Sequence, residues 1–335
     1  PRTGVLGTDP VDASAGFDLA VDQPVRAALV ATGDRQWRLD LVIHHIATDG
    51  ASLAPLARDV ATAYAARAGG TARVQRPLAV QYADFARMQR ALEQGDGARH
   101  DASLEAWTDR LAGIPDELEL PADGRRPESA ARAARQVRFT IPADVATAVQ
   151  AAAGQARASG FHAWLAGLAG YLHRIGAGDD VVIGSPSAGR TDPDVAELVG
   201  FFVNTLPLRI DLADAPTLVE AIERARAATL HAIEHESVPF ERIVEAMAPE
   251  RRLGRHPLFQ TMLSVEEPSG VALEQPGVAT TPIEPDTTGA AKVDLSFTLR
   301  PQPSGEVEGV LEHDAAMFSD RAARGLVDRW VAFLR

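Results

Sequence analysis

Two adjacent histidines, followed by an aspartate and a glycine in His44-His45-Ile46-Ala47-Thr48-Asp49-Gly50, are the residues of this chain best suited to chemistry. An imidazole moves a proton near neutral pH, and a nearby carboxylate either shares that work or holds the local geometry. The spacing does not by itself make a metal site, because two ligands leave the shell incomplete. The competing reading is structural: a pair of core histidines and a helix-capping aspartate. It weighs most on His44, which shares a strand face with Arg38 and Asp40. It weighs less on Asp49, because Ser52 is the better cap for the helix that follows.

Three other segments deserve the same test. His231-Ala232-Ile233-Glu234-His235 fits the inverted zinc-protease spacing, with two histidines on one helix face. No third ligand is apparent and the surrounding helix is polar, so an ordinary helix end is the better reading. Gly184-Ser185-Pro186-Ser187-Ala188-Gly189-Arg190 follows a strand as a phosphate loop would. It lacks the Gly-Lys-Ser/Thr ending and does not fit G-x-S-x-G, and reads as a tight turn that aims Arg190. Phe201-Phe202-Val203 reads as core until Asn204 and Thr205 interrupt it; buried amides and hydroxyls need partners.

The elements that must position these groups are legible from periodicity. Gln36 to Ile46 alternates: Trp37, Leu39, Leu41, Ile43 and His45 fall on one face, and Arg38, Asp40, Val42, His44 and Ile46 on the other. If the strand runs that far, the two imidazoles point to opposite sides. Leu53, Leu56, Val60 and Tyr64 predict a helix stopping at Gly69-Gly70, with Ser52 as its cap. Helices follow at Tyr82–Leu92 and around Trp107. The stretch Leu120 to Arg132 reads as an exposed connection, and the domain boundary is placed there, giving 1–132 and 133–335. The second half predicts strands near 137–141, 181–184, 203–210, 258–265, 293–299 and 307–312. Its helices are expected near 143–158 and 161–175, after Pro216 and Pro239, and from Ser319 to Leu334. Gly270 to Gly289 should be a long loop. Ser159-Gly160 leaves little room for a turn before Phe161, as if a few residues were absent. Both halves mix strands and helices, so the class is α/β or α+β.

Composition excludes several functions. The chain has 335 residues, too many for one ordinary hydrophobic core. A net charge of −13 argues against a nucleic-acid or anionic membrane partner. No apolar run is long enough to span a bilayer. The absence of cysteine removes disulfides, thiolate metal sites and a cysteine nucleophile, and suits a reducing, cytoplasmic setting.

The first motif resembles the H-H-x-x-x-D-G core of nonribosomal peptide synthetase condensation domains. Five further segments resemble that family in the same order: Tyr82-Ala83-Asp84-Phe85-Ala86; Ile183-Gly184-Ser185-Pro186 through Arg190; Val199 to Leu206; Val238-Pro239-Phe240-Glu241-Arg242; and Arg255 to Gln260. The resemblance covers residues 17–335. It implies a two-layer α/β (α+β) sandwich in two chloramphenicol-acetyltransferase-like lobes set in a V, with a tunnel between them and an incomplete N-terminal lobe here. It implies an acyltransferase that forms an amide between a donor acyl or peptidyl thioester and an acceptor aminoacyl thioester. Both arrive on the 4′-phosphopantetheine arms of upstream and downstream carrier proteins, so no cofactor or metal is bound directly and the domain is a monomer among synthetase neighbours.

By the same resemblance His45 takes the amine proton or orients the amine, and Gly50 permits close approach and offers an amide N–H to the oxyanion. Asp49 is a scaffold residue paired with Arg190 across the lobes, and His44 and Asn204 support the site. The family's first two motifs precede the equivalent of Pro1 and are not in this sequence. Ala51 replaces the usual aromatic after Asp-Gly, and Met88 stands where Trp is frequent. His44 to Arg67 and Val238 to Leu263 look most like domains that take a D-configured donor and an L-acceptor. The alternatives are a catalytically silent docking module for carriers or tailoring enzymes, whose relatives usually have a damaged core, and an epimerization domain, whose later motifs are not seen.

Overall fold

The computed structural model describes residues 8–12, 15–70, 77–95, 97–128, 132–249, 252–266, 277–283 and 289–335, with 92–95 and 97–100 as backbone alone. They form two compact units. One draws on Pro1–Ala91, Arg190–Val203 and Gly270–Thr288; the other on Leu92–Gly189, Asn204–Ser269 and Gly289–Arg335. Most of the loop expected over Gly270 to Gly289 lies outside the described residues.

The first unit begins with an antiparallel hairpin, β1 (Val25–Gly33) and β2 (Gln36–Ile43), in which Leu29 faces Leu39 and Val25 faces Ile43. Its two-residue turn places Arg35 at φ 55°, in the left-handed region that tight hairpins require. Trp37, Leu39 and Leu41 share one face, as alternation predicts, but that face is exposed. Strand β2 ends at Ile43, short of the histidines. A 3-10 turn over His45–Ala47 replaces the strand because the His44 ring accepts the Ile46 N–H, a local bond that competes with strand pairing. Strand alternation therefore does not orient the two imidazoles.

Helix α1 (Leu53–Ala68) stops at Gly69-Gly70, where Gly70 takes φ 62°. Ser52 occupies its N-cap position but makes no cap bond to it. Asp49 instead caps the 3-10 turn Gly50–Ser52, in a reciprocal box with Ser52. Helix α2 (Tyr82–Gly95) contributes Tyr82 and Phe85 to a small core with Val80, Val195, Leu198 and Phe202.

The second unit is built on a six-stranded mixed sheet in the order β3-β8-β7-β6-β4-β5. The strands are β3 (Ala134–Ile141), β4 (Asp180–Ser187), β5 (Asn204–Asp211), β6 (Thr261–Val265), β7 (Leu295–Pro301) and β8 (Val307–Asp314). Strand β6 runs parallel to β4 and β7; the other pairs are antiparallel. The helices are α3 (Gly97–Leu111), α4 (Ala143–Gln155), α5 (Gly160–Arg174), α6 (Leu218–Glu234), α7 (Phe240–Met247) and α8 (Asp320–Phe333). Helices α5 and α6 lie against β4 and β5, and α8 against β3 and β8. Trp107, Trp164, Trp330, Phe259, Phe297 and Phe318 fill the core between them. The α/β class is thus the one expected.

One expectation changes here, and another gains detail. The α4–α5 junction closes in the four residues 156–159, with Arg157 at φ 49° and the Ser159 N–H donating to His162 Nδ1 at 3.1 Å. No additional residues are needed to make that turn. The connection after Leu120 is mostly exposed over residues 121–128, as expected, and is also tied down. The Gly124 N–H donates to the Met317 carbonyl, and a Cβ at Gly124 would lie 2.0 Å from the Ala316 carbonyl oxygen. Arg126 and Arg132 from the same stretch reach the buried carboxylates Asp294 and Asp314. No helix among the described residues is long and apolar enough to cross a membrane.

Candidate functional site

The paired histidines use the same ring atom in opposite senses. Nδ1 of His44 accepts the Ile46 N–H at 3.1 Å, so it carries no proton. Nδ1 of His45 faces the Thr48 carbonyl oxygen at 2.7 Å, and a carbonyl only accepts, so this nitrogen carries the proton. In neutral His45 the free lone pair therefore sits on Nε2. His45 is exposed and His44 half-buried. Each ring meets a phenylalanine edge-to-face: His44 with Phe17 at 5.8 Å and His45 with Phe201 at 5.1 Å.

Asp49 has no exposed side-chain surface and serves as a hub. Its Oδ1 accepts from the Ser52 N–H at 2.8 Å and from Arg190 Nη2 at 2.9 Å; its Oδ2 accepts from the Phe202 N–H at 3.0 Å. The Ser52 hydroxyl hydrogen lies within reach of Asp49 Oδ1 at 2.7 Å and the Gly200 carbonyl at 2.9 Å. Ser52 Oγ in turn accepts from the Gly200 N–H and from Arg190 Nη2. Burial pushes the Asp49 carboxyl up, but the bonds from Ser52, the Phe202 N–H and Arg190 outweigh it and leave the group below its ordinary value. Asp49 is thus a poor proton donor or acceptor near neutral pH and a good anchor.

Arg190 completes the hub. Its other terminal nitrogen, Nη1, donates to the carbonyls of Val195 and Leu198 at 2.7 and 2.8 Å, and its guanidinium lies 4.1 Å from the Phe202 ring centre. Gly189 precedes it at φ 62°. The expected Asp49–Arg190 pair is therefore present, and both residues belong to the first unit.

Segment 200–202 is held as a strap across the motif. The Tyr82 hydroxyl donates to the Phe201 carbonyl at 2.9 Å. A Cβ at Gly200 would lie 2.2 Å from the Tyr82 ring, so this close approach needs glycine. Burial, then the Asp49 charge, raise the Tyr82 phenol and keep it protonated. Gly50 is exposed, and nothing described lies within 4 Å of a Cβ built there. Its N–H opens the first turn of Gly50–Ser52, a position where backbone donors commonly lack an internal partner.

His44, His45, Asp49, Gly50 and Arg190 therefore come together in the first unit. Asn204 belongs to the second unit, at the start of β5. Its amide donates to the Glu236 and Val238 carbonyls at 2.8 Å each, and its oxygen accepts the Phe240 N–H, which secures the entry to α7. His231 and His235 pack against each other and His231 against Trp107; Trp107 Nε1 donates to the His235 carbonyl and Ser103 meets the His235 ring. No group of three or more His, Cys, Asp or Glu suited to a metal ion occurs among the described residues. Sequence reasoning missed the hub role of Ser52 and the strap role of Tyr82 and Phe201. Only the placement of Ser52 two residues after the motif hinted at the first.

Comparison with known proteins supplies the remaining context. The condensation-domain family model matches residues 11–335. The chain is 43% identical over 323 residues to a probable non-canonical nonribosomal peptide synthetase, CymA, of Salinispora arenicola; this covers 95% of the chain and 4% of that synthetase. The chain thus spans a small part of the curated relatives it matches. Its fold is similar to the X-domain from teicoplanin biosynthesis, with TM-score 0.88 and 33% identity over 95% of this chain and 73% of that one. A complex of that X-domain with OxyB is similar at TM-score 0.86 and 34% identity, covering 95% of this chain and 71% of the other.

Proposed function

We propose, from the premise that this chain belongs to the condensation-domain family, that it joins a donor acyl or peptidyl thioester to an acceptor aminoacyl thioester as an amide. Carrier proteins, upstream for the donor and downstream for the acceptor, present both substrates on phosphopantetheine arms. The observation that carries this reading is an exposed His45 whose Nδ1–H is committed to the Thr48 carbonyl, leaving Nε2 as the acceptor.

The acceptor amine attacks the donor carbonyl, and a carbon–nitrogen bond forms as the carbonyl π electrons move onto oxygen. His45 Nε2 takes a proton from the attacking nitrogen and orients it. The Gly50 N–H is offered to the oxyanion. Collapse breaks the carbon–sulfur bond, and the departing thiolate takes up the proton held by His45. Asp49 keeps the turn in register and does not titrate in the cycle. The resemblance of two segments to domains taking a D-configured donor and an L-acceptor extends the reading to stereochemistry.

The test loads a donor and an acceptor carrier, adds the protein, and measures condensed product by mass spectrometry. Product should form with the wild type and drop at least about a hundredfold in His45→Ala. Undiminished product in that variant removes His45 from the mechanism. A second reading, a docking module for a tailoring enzyme, is favoured by the likeness to an X-domain solved with OxyB. The intact His45–Asp49–Arg190 arrangement supports catalysis instead. Absence of product from the wild type across several matched carrier pairs would favour docking.

A further inference from the structure

We propose that Phe201 is a positioning residue for His45, holding its imidazole in the plane that keeps Nδ1–H on the Thr48 carbonyl and presents Nε2 outward. The inference rests on the reading of His45 as the group that takes the amine proton.

The strap that carries Phe201 is fixed on both sides of it. Before it, the Gly200 N–H donates to Ser52 Oγ at 3.1 Å; after it, the Phe202 N–H donates to Asp49 Oδ2 at 3.0 Å. Its own carbonyl accepts from Tyr82. The next ring, Phe202, is buried between Tyr82, Phe85 and the Arg190 guanidinium. With the backbone held at three successive residues, the Phe201 side chain has little freedom of placement. It remains 38% exposed, so it is not a core residue. Its described ring partner is His45, met edge-to-face at 85°.

An exposed imidazole needs such a neighbour. One hydrogen bond from Nδ1 leaves the ring free to swing about that contact, and neutral imidazole has two tautomers of similar energy. A fixed aromatic wall removes both freedoms together. It blocks rotation away from Thr48, and loss of the Thr48 bond would release the Nδ1 proton preference. Ser52, Asp49 and Tyr82, by their hydrogen bonds to the strap, and Arg190, by its place over the Phe202 ring, then act on His45 through Phe201, which explains why so many contacts converge on three residues.

The experiment pairs kinetics with ring 15N spectra of His45 in the folded protein, for Phe201→Ala, Phe201→Leu and Phe201→Tyr. In the wild type the spectra should show the Nδ1–H tautomer. Phe201→Ala should lower kcat about tenfold, leave the acceptor KM within about twofold, and shift His45 toward the Nε2–H tautomer. Tyr should restore both readouts and Leu only part, with urea midpoints close to the wild type for all three. An unchanged kcat in Phe201→Ala overturns the proposal. So does a lowered kcat with unaltered His45 spectra, because the loss would then not act through the imidazole. A wild type that yields no product overturns the functional reading instead, and the spectra still decide whether Phe201 sets the tautomer.

Discussion

Two buried charge clusters among the described residues are built on different plans. In the first unit one carboxylate, Asp49, faces a single cation, Arg190, and takes its other bonds from neutral donors: the Ser52 hydroxyl and N–H and the Phe202 N–H. In the second unit charges alternate. Arg126 grips both oxygens of Asp294, Arg132 joins Asp294 to Asp314, and Glu117 caps Arg126 at 2.5 Å. Asp294 and Asp314 have no exposed surface. The alternating cluster joins the 120–132 connection to the ends of the sheet. The neutral-donor hub holds three loops near an exposed histidine. Low-dielectric surroundings penalise an unpaired charge in both; three neutral donors remain on Asp49 when Arg190 is lost, whereas Asp294 is held by its two arginines.

The largest test of that contrast is Asp294→Ala. It removes the carboxylate that Arg126 and Arg132 share, leaving Arg126 with Glu117 and Arg132 with Asp314, and should cost about 3–5 kcal/mol in urea unfolding of the second unit. Arg190→Ala should cost less, about 2–3 kcal/mol, because Asp49 keeps the Ser52 and Phe202 donors. It should nonetheless suppress condensation, since Val195, Leu198 and Asp49 lose their common tie. If Arg190→Ala proves the more destabilising change, the cushioning role of the neutral donors is wrong.

Acid separates the plans next. The folded Asp49 carboxyl lies below its ordinary value, so its stabilisation is complete above the unfolded value of about 3.9. It is lost as pH falls through the lower folded value. Amide exchange at Ser52 and Phe202 should accelerate across that window, and Asp49→Asn should remove the pH dependence. Tyr82→Phe is milder. Losing one hydrogen bond to the Phe201 carbonyl should cost about 1 kcal/mol and loosen the strap without unfolding it. Smallest of all is Arg58→Ala. Its ion pair with Glu197 is exposed and should leave the urea midpoint of the first unit unchanged.

The same contrast shows what the sequence could carry. Helix limits were legible where the signal is local, as at Gly69-Gly70 or after Pro216; the Thr217 hydroxyl cap of α6 was not read. The Asp49–Arg190 pair was legible through motif resemblance. Strand β1 was not, because Val25–Gly33 mixes small and exposed residues without clean alternation. The end of β2 at Ile43 was missed because a side-chain bond from Ile46 to His44 diverts the backbone. The role of Ser52 depends on Gly200, 148 positions away, and no window of sequence contains both.

The contact between Gly200 and the Tyr82 ring has a consequence for the history of such chains. A side chain at 200 and an aromatic at 82 cannot share that space. The two positions are expected to drift as a couple: lineages that lose the glycine must first shrink the residue at 82, and so give up the hydroxyl that anchors the strap.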